Sequence, residues 1–218
     1  IRDSYDTAGE LWLNNLEAHT IKADGNLIIY VCNNQATNTN IVTATQNETA
    51  IEVTGYLTIR YGGYGGGTGS LTVESDGKEA IQAGSGMTVS DGVEVKVRAK
   101  SGATAISSGG VLKIDGNRTK LEAAGDGSTG KGIFAQQSIY VKNSAVLTAF
   151  GGAAAYESPS GIDKSGYGYE DYNVFTGDAA PGTQAAKDTV LDGYKYIRIE
   201  PTGVACLLYT SDAADEGL

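Results

Sequence analysis

The sequence predicts an all-β fold, a right-handed parallel β-helix of about six coils closed by a C-terminal strand cap. Three observations carry this. Isoleucine recurs at Ile21, Ile51, Ile81, Ile106 and Ile133, at separations of 30, 30, 25 and 27 residues. Six and eight places after each stand apolar residues: Leu27 and Ile29, Leu57 and Ile59, Met87 and Val89, Leu112 and Ile114, Ile139 and Val141. Between the two pairs a glycine breaks the run, as Gly25, Gly55 and Gly110, with Gly84 and Gly86 flanking that place in the third copy.

Taken in order, Leu11-Trp-Leu13 reads as what remains of a preceding coil. Each repeat then opens on a small residue (Thr20, Ala50, Ala80, Ala105, Gly132) and its isoleucine, with Ala23, Val53, Ala83, Ser108 or Ala135 two places on. Alternation at these two places, and again at the sixth and eighth, is the period of strands with one buried face. The glycine between them suits a sharp bend because it tolerates positive φ. A third strand follows a connection of variable length: Leu71-Thr-Val73, Val95-Lys-Val97, Leu121-Glu-Ala123 and Leu147-Thr-Ala149. One such copy has nothing above or below it to cover its inward row. Stacked copies pair each strand in parallel with its equivalent about 4.8 Å away, and the inward columns become a continuous core. A β-sandwich would show hairpin turns without these constant offsets, and no 3.6-residue period supports a helical solenoid. The β-helix is assigned to residues 5–173. From Val174 the repeat stops, and 174–201 reads as two final strands with a loop between them, closing a stack whose open end would invite further pairing.

The two ends read differently. Residues 1–4 and the start of the 206–218 segment admit codings that are reverse complements of each other, and Cys206–Glu216 resembles a translated sequencing adapter. Both ends are therefore expected to be scars, which leaves Cys32 as the one native cysteine. It follows an inward strand and is expected to be a buried, inert thiol.

Composition narrows the function. The 218 residues carry a formal charge of −10, with no basic block to neutralise phosphates and no apolar run long enough to span a membrane. Nucleic acid and membrane insertion are therefore not expected. The outward columns (Ile28, Thr58, Thr88, Lys113, Tyr140; Tyr30, Arg60, Ser90, Asp115, Lys142; Lys22, Glu52, Gln82, Ser107, Phe134) never place two acids on adjacent coils. Paired carboxylates for glycoside hydrolysis thus have no place there. The third strands add Thr72, Lys96 and Glu122 in one column and Glu74 and Arg98 in the next, which read as a surface ion-pair ladder. With His19 as the single histidine, a Ser-His-Asp triad and histidine-based metal sites lack their parts. The chain is expected not to be an enzyme.

Two glycine-tyrosine loops remain. In residues 60–69, Tyr61 and Tyr64 admit two readings: faces that stack on sugar rings, or side chains packed against the neighbouring coil. Residues 156–172 carry Tyr167 and Tyr169 as further stacking candidates, with Asp163, Glu170 and Asp171 as oxygen ligands for calcium.

The repeats TIKADGNLIIYV, AIEVTGYLTIRY, AIQAGSGMTVSD, AISSGGVLKIDG and GIFAQQSIYVKN resemble those of bacterial surface β-helix proteins of the carbohydrate-binding-domain type, pectate-lyase-like in architecture. YDTAGELWLNNLEA resembles the start of such an array and GYKYIRIEP its close. The resemblance implies a secreted or cell-surface-attached, non-catalytic module. Its partner would be a polysaccharide or cell-surface glycan, with calcium as the one cofactor to consider. A structural stalk and a degenerate polysaccharide lyase or hydrolase are the other roles such a chain fills.

Overall fold

The computed structural model describes residues 8–32, 39–45, 47–63, 68–167 and 171–202. The two segments expected to be scars, 1–4 and 206–218, lie outside them. Strands follow one another in threes: β1 (Gly9–Asn14), β2 (Glu17–Ala18), β3 (Ile21–Ala23); β4 (Leu27–Cys32), β5 (Asn40–Ala44), β6 (Ile51–Val53); β7 (Tyr56–Tyr61), β8 (Ser70–Asp76), β9 (Ile81–Ala83). Then come β10 (Gly86–Ser90), β11 (Glu94–Lys100), β12 (Ile106–Ser108); β13 (Leu112–Asp115), β14 (Lys120–Gly125), β15 (Lys131–Ala135); β16 (Ile139–Lys142), β17 (Val146–Gly151), β18 (Ala154–Glu157). The chain continues through β19 (Ile162–Asp163) and a 3-10 turn at Ser165–Tyr167 to β20 (Tyr172–Gly177), β21 (Thr183–Ala185) and β22 (Tyr196–Pro201).

Successive members of each set go to three different sheets, so each set of three is one coil of a parallel β-solenoid. Among the described residues, one sheet runs β1-β4-β7-β10-β13-β16-β19, a second runs β18-β15-β12-β9-β6-β3, and the third begins β2-β5-β8-β11-β14-β17. The register is the one the repeat requires. Leu57, Met87, Leu112 and Ile139 are successive partners, as are Ile51, Ile81, Ile106 and Ile133. All eight are fully buried, each covered by its equivalents on the coils above and below. Burying a side chain of this size contributes about 1.5–3 kcal/mol.

The bends are built differently from one another. Gly25 takes φ +93°, the left-handed region that glycine favours. Gly55 and Gly110 do not. There a Cβ would fall 2.5 Å from the carbonyl oxygen of Gly25 and 2.2 Å from that of Ser85, so glycine is required by the closeness of the neighbouring coil. Polar side chains buried at the corners satisfy backbone groups of other coils. Asn40 accepts from the Leu16 amide (3.1 Å) and donates to the Ser70 carbonyl (3.2 Å), bridging three coils. Thr119 accepts from the Gly92 amide at 2.9 Å, and Ser75 donates to the Glu48 carbonyl at 2.7 Å.

The third sheet ends in an antiparallel cap, β17-β22-β20-β21. Three strands form it where the sequence suggested two; the extra one is β21, three residues inside the 178–193 connection, paired with β20. The isoleucine column terminates in Tyr156, register partner of Ile133, whose buried ring donates its hydroxyl to Asp192 from the same connection. Ile162 pairs with Ile139, so the start of the 156–172 loop is in fact a further stretch of coil.

Candidate functional site

The antiparallel strands extend the third sheet past the last coil, and their connection folds back over its outer face. Between them lies a groove of about 840 Å³. Two outward rows form its floor. One is polar: Thr72, Lys96, Glu122, Thr148 and Arg198 stand opposite one another on β8, β11, β14, β17 and β22. The other, two residues along, turns apolar toward the cap: Glu74, Arg98, Ala124, Phe150 and Tyr196. Ala180 overhangs from the β20–β21 connection, and Gly182 approaches the Tyr196 ring so closely that a Cβ there would stand 2.8 Å from it.

Ion pairs hold most of the charges in place. Arg98 Nε donates to Asp126 at 2.7 Å, and this hydrogen bond raises the guanidinium's already high pKa. Lys100 meets Glu74 at 3.4 Å, and Lys96 and Lys120 share Glu94 at 3.5 and 4.0 Å. Arg198 is held between the Phe175 ring, 5.7 Å away, and Glu200, whose side chain is only 6% exposed. Burial pushes the Tyr196 phenol above its ordinary value, against the opposing pull of Arg198. Glu122 stands apart: it is exposed, and no described cation lies within 4.0 Å of it.

The described loop candidates lie elsewhere. Tyr61 continues the inward row of β7, opposite the buried Val31, and is half-buried against the core. Tyr64, Tyr169 and Glu170 lie outside the described residues, and Tyr167 closes the 3-10 turn. Asp163, on β19, accepts hydrogen bonds from Ser165, which hold its carboxyl below the usual range. Asp171 is ion-paired with Lys187. Among the described residues no group of three histidines, cysteines or acids is placed to hold a metal ion. His19 is exposed, with Nδ1 2.9 Å from the Thr43 carbonyl and Nε2 2.7 Å from Glu48. Cys32 is buried, which raises its thiol pKa, as befits an unreactive thiol.

Compared with protein-family models, curated proteins and solved structures, the chain matches none. The parallel β-solenoid therefore rests on its own repeat residues and on the register they take.

Two features escaped sequence reasoning. The groove depends on where the cap folds back, which no repeat pattern encodes, although its floor was legible as the Thr72-Lys96-Glu122 column. The other is an aromatic stack on the first sheet. Trp12 lies on Tyr30 with ring centroids 4.2 Å apart and planes 13° from parallel, and Arg60 covers the far side at 5.7 Å. Extending the Tyr30–Arg60 column one coil back would have found Trp12.

Proposed function

We propose that this β-solenoid is a non-catalytic glycan-binding module of a secreted or surface-attached protein, and that the ligand lies in the groove of the third sheet. One observation carries the reading: the polar row Lys96, Glu122, Thr148, Arg198 runs beside an apolar strip of Ala124 and Phe150, which the buried Tyr196 continues under the cap. A sugar is amphipathic in the same way, with hydroxyl edges and C–H faces, and aromatic surfaces accept the latter. The rung spacing of about 4.8 Å is close to the length of one pyranose unit, so successive sugars meet equivalent positions. Non-catalytic binding fits the charge pairing. Asp126, Glu200 and Glu74 are each held by a cation, which leaves Glu122 without a second free carboxylate for acid–base work.

A structural spacer is the second reading, favoured by the ion-pair ladder that ties the same face together. A glycan array, run with and without calcium, separates the two. Binding that Thr148→Trp abolishes, with the β-sheet circular dichroism intact, supports the groove. Binding that survives it but is lost in Tyr64→Ala moves the site to the 60–69 loop. No binding to any glycan leaves the spacer.

A further inference from the structure

We infer that the groove selects uncharged, hydroxyl-rich glycans and rejects polyanionic and polycationic ones, with Glu122 as the specificity-determining acceptor. This rests on the glycan-binding reading and deepens it. Four cations line the groove (Lys96, Arg98, Lys120 and Arg198) against four carboxylates (Glu74, Glu122, Asp126 and Glu200), so its lining sums to zero. Each of the four cations is already engaged by a carboxylate, at 2.7 Å for Arg98 and at 3.5 and 4.0 Å for Lys96 and Lys120; Arg198 is held by Glu200.

A uronate or sulfate polymer would compete with a carboxylate at every cation it used. It would also approach a chain of net charge −10 and meet Glu122 directly. A polyamine chain would gain Glu122 but pass four cations. A neutral sugar disturbs none of these pairs. Its hydroxyls donate to Glu122, the lining carboxylate without an ion pair among the described residues, and can exchange hydrogen bonds with Thr148 on the next rung. A hydrogen bond to a charged acceptor is roughly twice as strong as one between neutral groups. Glu122 therefore does more to orient the ligand than either threonine of its row.

The test measures binding of the full chain to a neutral β-linked xylo- or cello-oligosaccharide, to polygalacturonate and to a chitosan oligomer, each at low and high salt. The neutral ligand is expected to bind with little salt dependence, and the charged ones more weakly. Glu122→Ala lowers affinity for the neutral ligand about tenfold, and Glu122→Gln falls between it and the parent. Salt-sensitive binding of polygalacturonate or chitosan that Thr148→Trp abolishes overturns the selectivity and leaves the groove reading standing. So does neutral-glycan binding that is blocked by Thr148→Trp but indifferent to Glu122→Ala. Failure to bind any of the three, or neutral binding indifferent to Thr148→Trp, overturns both.

Discussion

Leu112 has Met87 on one side and Ile139 on the other, in register and fully buried. Its truncation cannot be absorbed by one neighbour, because the column is held from both ends. Leu112→Ala is expected to cost about 2–5 kcal/mol in urea unfolding. Gly109 illustrates the opposite constraint: a Cβ there would stand 1.9 Å from the Gly84 carbonyl oxygen. Gly109→Ala forces two coils apart and is expected to cost about 1–3 kcal/mol in the same assay. The columns were legible because an inward position admits few side chains. The 156–162 segment was missed because Tyr156 takes the place of an isoleucine. Its flanks, Ala155 before and Ile162 six places after, obey the repeat and would have placed it.

At the scale of the element, the antiparallel cap holds a buried carboxylate, Glu200, covered by the half-buried Arg198. Arg198→Ala leaves the Glu200 carboxylate buried without its cation and is expected to destabilise by up to about 3 kcal/mol. Adding Glu200→Gln recovers part of that loss, and a double-mutant cycle read by thermal unfolding measures how much. The two strands at 174–200 were readable from their alternation. β21 was not, because Thr183–Ala185 is short and lacks an apolar pattern, and it exists only because β20 offers it an edge.

For the whole molecule, pH acts through groups at the closing end of the stack. Burial, with the hydrogen bond to Asp192, raises the Tyr156 phenol well above its ordinary value. Its contribution is complete below the ordinary tyrosine pKa of about 10 and is lost as pH rises toward the folded value, because the unfolded chain ionises first. Stability is therefore expected to fall above about pH 10, and to fall less steeply in Tyr156→Phe, as followed by urea midpoints across an alkaline series. Asp163 has the opposite sign. Hydrogen bonds from Ser165 lower its folded pKa, so its contribution is present above the ordinary carboxylate range and disappears as acid is added.

The position of β22 has a consequence for how the chain is assembled. Although it is the last described strand to emerge in sequence, it occupies an interior slot, with β17 on one edge and β20 on the other. During synthesis β20 and β21 leave the ribosome before the strand that joins them to the stack. They must wait as an unattached hairpin until residues 196–201 slide in. Among the described strands the stack is thus keyed shut by the last in sequence, and a released chain truncated just short of Tyr196 should leave 172–185 open to protease while the coils before it are protected.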